Sequence, residues 1–225
     1  MRKYIKYIVF GVVALVLTVV CILKIREVSE ETISYMPITN KTIVLDAGHG
    51  GMDPGTYSGN IFEKELNLKI AKKLGDIFIQ NNCFIYFSRT EDYDLSKEDS
   101  YNHKIDDLKK RAEMINFINP DLLISLHLNS LIDNSVFGPM VYYRYNDGIS
   151  KQYAVSIQNY LNKLTGLEKI IHSEKYYLFM KTKVPAVLIE CGFLSNQAER
   201  KKLCEEKYQQ SIVEAIYQGV RMAKV

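Results

Sequence analysis

Four side chains in this sequence are of types that do metal or acid–base chemistry, and each stands near the end or start of a predicted element: His49 in DAGHGG, Glu63 in FEKEL, His127 in LLISLHL and Glu190 in AVLIEC. Two imidazoles and one carboxylate form a standard catalytic zinc set, with three protein ligands leaving the fourth position open for water. Their wide separation matches no compact zinc motif such as H-E-x-x-H. Singly, each has an ordinary explanation. A lone His on an apolar strand is usually hydrogen-bonded in the core, and a Glu in the first turn of a helix serves the macrodipole. Burying a Glu in AVLIEC or a His in LLISLHL without a partner is expensive, so the four carry more together than apart. Residue type and spacing leave open which carboxylate would join the histidines.

The elements that must position these residues alternate between strand and helix. Thr42 to Asp46 is a β-branched run feeding the Gly-rich loop GHGGMDPG. Glu63 to Gln80 carries Leu66, Ile70, Leu74 and Ile77 at helical spacing, and Asn81-Asn82 stops it. Cys83 to Ser88 reads as a strand, Glu91 to Lys104 as an exposed loop, and Asp106 to Ile118 as a helix with Leu108, Ala112, Ile115 and Phe117 or Ile118 inward. Leu122 to Leu128, Val141 to Tyr145 and Ala186 to Cys191 are further strands. Ser150 to Leu164, Gln197 to Cys204 and Tyr208 to Met222 are further helices. This order predicts a three-layer αβα domain with a largely parallel mixed sheet. Ligands bind outside the carboxyl ends of the strands in such a sheet, which is where His49, His127 and Glu190 fall.

Among the 225 residues, 47% are hydrophobic and 24% charged, which suits one folded domain and excludes disordered or low-complexity classes. The net charge of +3 is not a property of that domain. Arg2, Lys3, Lys6 and Lys24 account for four of the 29 bases, so residues 25–225 carry 25 bases against 26 acids, a net charge of −1. Such a domain offers no electrostatic footprint for nucleic acid. Those four bases flank an uncharged run from Tyr7 to Leu23, read as a membrane anchor over residues 1–24 in one transmembrane helix. No small-x-small cleavage site follows the run, and the leading bases favour an extracytoplasmic domain. Residues 25–40 read as a tether and 41–225 as the folded domain. Cys21, Cys83, Cys191 and Cys204 read as small buried hydrophobes, since one lies in the anchor and leaves an odd number outside.

From Thr42 to Leu203, IVLDAGHGGMDPG, FEKELNLKIAKKL, SRTED, RAEMIN, LLISLHLNS, the VYY strand and PAVLIECGFLSN together closely resemble the zinc-dependent N-acetylmuramoyl-L-alanine amidases. The resemblance implies that His49, Glu63 and His127 bind one zinc ion and that Glu190 is the catalytic acid–base. It also implies hydrolysis of the amide between N-acetylmuramic acid and L-alanine in peptidoglycan. Asp46 and Asn129 are candidates for orienting ligands or substrate, because metal-bound His normally donates its other N–H. Two positions depart from the family pattern: Ala47, where Pro is usual, and Ile115, where Ala is commoner. Within the family the likeness is greatest to its spore-cortex members, from the anchor joined to a bare catalytic domain, the Glu91 to Lys104 insertion, VYYRYN and YYLFMK. That branch implies a cortex substrate, a forespore-envelope location, an accessory protein for localisation or activation, and a muramic acid deacetylase acting on the product to complete the muramic-δ-lactam needed for germination. Two other readings stand beside this one: a membrane-tethered module that binds peptidoglycan or protein without catalysis, and a peptidase cutting within the stem peptide. Arg89 and Arg111 read as ties between loop and helix, and His103 and His172 as surface residues. Tyr142, Tyr143 and Tyr145 read equally as a sugar-stacking platform or as an alternating edge strand.

Overall fold

A computed structural model describes residues 2–34 and 38–225, and the chain divides into two compact units, Met1–Pro37 and Ile38–Val225. The first holds a single helix, α1 (Arg2–Ser34). Among the described residues no helix is long and apolar enough to cross a membrane. The transmembrane helix expected over residues 1–24 is therefore not found there. The described side chains from Phe10 to Leu23 are exposed. The expected tether is helical up to Ser34, and its next three residues lie outside those described.

The second unit is built on six strands in one sheet. From Lys41 onward the chain forms β1 (Thr42–Ala47), a small hairpin β2 (Tyr57–Ser58) and β3 (Ile61–Phe62), α2 (Glu63–Gln80), β4 (Phe84–Phe87) and α3 (His103–Ile118). It continues through β5 (Leu122–Asn129), β6 (Met140–Arg144), α4 (Gly148–Thr165), β7 (His172–Glu174) and α5 (Tyr177–Lys181). It closes with β8 (Ala186–Phe193), α6 (Gln197–Leu203) and α7 (Glu206–Arg221). The sheet order is β4-β1-β5-β8-β6-β7, and every pairing is parallel except β6 with β8. The exception has a local cause. No helix intervenes between β5 and β6, so the chain stays at the carboxyl edge of the sheet and returns antiparallel.

One apolar cluster joins α2, α4 and α7 to one face, where Phe78 and Tyr217 meet edge to face at 5.6 Å. A second joins α3 and α5 to the other face. The three-layer mixed sheet is thus as expected, and Ile115, one of the departures from the family pattern, is fully buried in the second cluster. On the same helix Phe117 is exposed and Ile118 packs inward. Helix α3 begins a turn earlier than periodicity suggests because the Asn102 side chain accepts from the Ile105 N–H.

The Glu91 to Lys104 segment is not a free loop. Asp92 accepts from the Gly51 N–H at 2.9 Å and pairs with Lys64 Nζ at 2.7 Å, while Asp94 accepts from the Met52 N–H. It therefore braces the Gly-rich loop after β1. Cys83 and Cys191 are buried as expected, but Cys21 and Cys204 are exposed, and all four are free thiols.

Candidate active site

The four residues singled out by type converge at the carboxyl edge of the sheet. His49 lies just past β1, Glu63 opens α2, and His127 and Glu190 sit side by side as partners on β5 and β8. His49 Nε2 is 3.2 Å from Glu63 Oε2, and His127 Nδ1 is 3.0 Å from Glu63 Oε1. Ligand atoms from the three lie within 4.8 Å of one another. The mixed imidazole–carboxylate set suits a zinc-like metal. The residues present therefore fit a divalent metal.

Local backbone geometry creates this convergence. His49 adopts φ +62°, a left-handed conformation unusual for a non-glycine residue. Its carbonyl accepts from Arg111 Nη2 at 2.8 Å while its Nδ1 meets Asp53 Oδ2 at 2.8 Å, leaving Nε2 turned to Glu63. At Gly48 a Cβ would come within 2.2 Å of the His127 ring; at Gly55, where φ is +67°, it would come within 2.5 Å of Glu63 Oε2. Both glycines let the loop lie against the ligands. Glu63 also accepts from the N–H groups of Thr56 and Leu128 and from Asn67 Nδ2. Burial opposes its charge, but His127 and His49 outweigh that and hold its carboxyl well below the usual range. For His49 burial favours the neutral ring, but Glu63 and Asp53 outweigh it and raise the pKa.

Glu190 differs from Glu63. Its Oε2 is buried without a hydrogen-bond partner. Burial pushes its carboxyl up to about 7; the imidazoles of His127 and His49 oppose this, and Glu63 adds to it. A carboxyl with a pKa near neutrality, on the strand position paired with His127, is suited to taking and returning a proton. A cavity of about 240 Å³ opens in front of these residues, walled by Lys104, Leu108, Tyr176, Leu178, Phe179 and Leu188.

Asp46 and Asn129 do not orient a ligand ring. The residue that does so is Asp53, four positions after His49, a spacing that could have flagged it. Asn129 Oδ1 turns back to accept from the Ser130 N–H at 2.7 Å. Asp46 is fully buried and bonded to Arg111 Nη1 and Ser125 Oγ, each at 2.6 Å. Asn67, one helical turn after Glu63, was also missed; it is buried and steadies both Glu63 and the Gly48 carbonyl. Arg89 and Arg111 are fully buried. Arg89 donates to the carbonyls of Ala47, Gly48, Lys64 and Glu91, tying the loop to the start of α2. The Ala47 N–H, which a proline would lack, donates to Ser88 Oγ. Tyr142, Tyr143 and Tyr145 do not form one platform. Tyr142 packs on His172 and Tyr176, Tyr143 faces the first apolar cluster, and Tyr145 lies under Lys175.

The buried Asp46–Arg111 pair has a consequence for acid stability. Burial alone would raise the Asp46 pKa, but the Arg111 charge and the Ser125 hydroxyl outweigh it and bring it from the usual 3.8 to about 2. Because the folded value is the lower one, the stabilisation is complete above about pH 4 and is lost as pH falls through 2. Linkage puts it at about 2 kcal/mol. Urea midpoints measured from pH 5 to pH 2 should fall more steeply for the wild type than for Asp46→Asn; parallel curves would contradict the assignment.

The family model for N-acetylmuramoyl-L-alanine amidase matches residues 43–222. The chain belongs to that family. As a member it is a hydrolase acting on peptidoglycan. It is 33% identical over 192 residues to the germination-specific N-acetylmuramoyl-L-alanine amidase of Bacillus subtilis, covering 82% of this chain and 80% of that one. The CwlD amidase of Clostridioides difficile, solved in complex with the GerS lipoprotein, is 35% identical with a TM-score of 0.78, covering 80% of this chain and 96% of that one. The catalytic domain of the amidase CwlV from Bacillus (Paenibacillus) polymyxa is 30% identical with a TM-score of 0.70, at the same coverages. The amidase family model spans all four site residues, so the cluster and the family assignment describe one region of the chain.

Proposed function

We propose that this amidase holds one zinc ion through His49, Glu63 and His127 and, with Glu190 as acid–base, hydrolyses the amide joining the lactyl group of N-acetylmuramic acid to L-alanine in spore-cortex peptidoglycan. The observation that carries the reading is the convergence of three ligand atoms within 4.8 Å beside a buried, unpartnered Glu190 oxygen. Bound there, zinc supplies a Lewis acid for the scissile carbonyl and a water of lowered pKa. Glu190 takes the water's proton and returns it to the leaving amine, as its buried site allows. Asp53 fixes the His49 ring with Nε2 directed inward. Arg111 holds the His49 carbonyl from behind.

The cortex substrate is supported by the similarity to a germination-specific amidase and to CwlD. The complex of CwlD with a lipoprotein supports an accessory protein for localisation or activation here too. Hydrolysis leaves a free lactyl carboxyl on muramic acid, and lactam closure onto C2 then needs the acetyl group removed, a step for a deacetylase. Because the substrate lies outside the cytoplasm, the domain acts there, with the apolar, exposed side chains of α1 available to keep it near the membrane. Mass spectrometry of cortex muropeptides treated with the purified protein tests the reading: it predicts stem peptides with a free L-alanine amino terminus and muramic acid with a free lactyl carboxyl. Peptides cut internally, or no products, would overturn it.

A smaller effect isolates the ring support. Asp53→Ala should weaken zinc binding about 10- to 100-fold, the usual cost of losing a partner behind a ligating His. Competition with a chromophoric chelator measures this directly, and a change under about twofold would contradict the role.

A further inference from the structure

A second depression is lined by Tyr57, Ser58, Ser130, Leu131 and residues of the segment from Leu194 to Arg200. It has a volume of about 740 Å³, within the ~300–1,000 Å³ range of ligand sites. Its walls are the direct continuations of the three chain segments that carry the site: the β2 strand before Glu63, the loop after His127, and the loop after Glu190 leading into α6. Thr56, next to Tyr57 on the first wall, donates its N–H to Glu63 Oε2. The first wall of the groove thus follows directly in the chain on a residue bonded to the ligand cluster.

Its chemistry differs from that of the first cavity. Its lining is rich in hydroxyl and amide residues, including Asn134, Ser195, Asn196 and Gln197, together with the exposed ring of Tyr57. That ring is braced by Phe62, with centroids 5.9 Å apart. The one charged lining residue, Arg200, is committed in part to the Leu194 carbonyl at 2.6 Å. The walls are also tied together: Ser195 Oγ accepts from the Leu131 N–H and Asn196 Nδ2 donates to the Asn134 carbonyl. A groove fixed by such cross-ties is preformed and binds without much ordering cost. By contrast the first cavity is lined by Asp53, Lys104, Asp107 and an apolar wall.

Resting on the function proposed above, the geometry points to this polar groove as the subsite for the neutral glycan strand, with Tyr57 as a platform for a sugar face, and to the charged first cavity as the place of the stem peptide. A strand of N-acetylated sugars offers hydroxyls, amides and apolar ring faces but no charge, which is what the groove is built to meet. A stem peptide carries carboxylates and an ammonium, which suit Lys104 and the acids opposite.

Two measurements test the assignment. In the first, binding of chitotetraose, a peptide-free oligomer of N-acetylglucosamine, is titrated calorimetrically against the zinc-loaded protein and its Tyr57→Ala and Tyr57→Phe variants. In the second, kcat/KM is compared on a multi-disaccharide strand and on a single muramoyl-peptide. Tyr57→Ala should weaken chitotetraose binding about tenfold, whereas Tyr57→Phe should bind within about twofold of the wild type. Tyr57→Ala should also lose about tenfold more on the strand than on the single unit. Equal losses on both substrates, a loss that follows peptide length instead of strand length, or unaltered chitotetraose binding would overturn the subsite. Because chitotetraose contains no scissile amide, its binding reads the subsite even if hydrolysis fails, whereas absence of hydrolysis by the wild type bears on the function proposed above.

Discussion

Replacing Glu190 by Gln is expected to lower kcat for stem-peptide release by about 10²- to 10⁴-fold, the usual contribution of a general acid–base, while the protein stays folded and metal-loaded. The side chains are nearly the same size, and the buried Oε2 has no hydrogen-bond partner to lose. Glu190 is not among the three groups that converge as ligands, so zinc content should remain near one per chain. Burial already disfavours the charged carboxylate, so the neutral amide should not destabilise the fold at pH 7. Product release quantified by mass spectrometry, with metal analysis on the same samples, separates this outcome from collapse of the site. A variant keeping more than a tenth of the activity would remove Glu190 from the proton transfers.

The largest effect on stability is expected at Arg111. Its guanidinium is fully buried, paired with Asp46 at 2.6 Å and Asp107 at 2.8 Å, and it donates to the carbonyls of Ala47 and His49. Arg111→Met keeps much of the stem's volume but takes the charge partner from two buried carboxylates and the side-chain donor from the His49 carbonyl, while Ala47 keeps Arg89. Breaking a buried pair by removing one partner costs about 3–5 kcal/mol, which is a large share of a domain's stability. Equilibrium urea unfolding should show a loss of that size, together with weaker zinc binding as the strained His49 turn is released. A loss under about 1 kcal/mol would mean that water or rearranged side chains replace the guanidinium, and the account of how the loop is held would fail.

These two residues also mark how far the site is legible in the sequence. Glu190 was conspicuous because a charge in AVLIEC contradicts its own surroundings. Helix α2 was legible to the residue, from Glu63 to Gln80, since its apolar spacing is regular and Asn81-Asn82 marks its end. Arg111 could be read only as a tie between loop and helix, because pattern shows neither its depth nor its partners. Asp46 appeared suited to supporting a histidine, yet its position on a strand turns it toward Arg111 and Ser125, and Asp53 supports His49 instead. The left-handed turn at His49, which aims one ring nitrogen at Glu63 and the other at Asp53, leaves no trace in residue type. Strand β7, helix α5 and the two strands of the β2–β3 hairpin span two to five residues each, too few for a period to register. Yet the hairpin supplies Tyr57 and α5 supplies part of the cavity wall. The regular elements were thus readable from their repeat, and the short pieces that shape the binding surfaces were not.

The central claim is that hydrolysis depends on a metal held by His49, Glu63 and His127. Stripping the purified protein with a chelator, verifying by circular dichroism that it stays folded, and titrating zinc back while following stem-peptide release tests this most directly. The folded metal-free protein should release no stem peptide and recover fully at one zinc per chain, with no recovery in His127→Ala. Undiminished release from the metal-free, folded protein would contradict it.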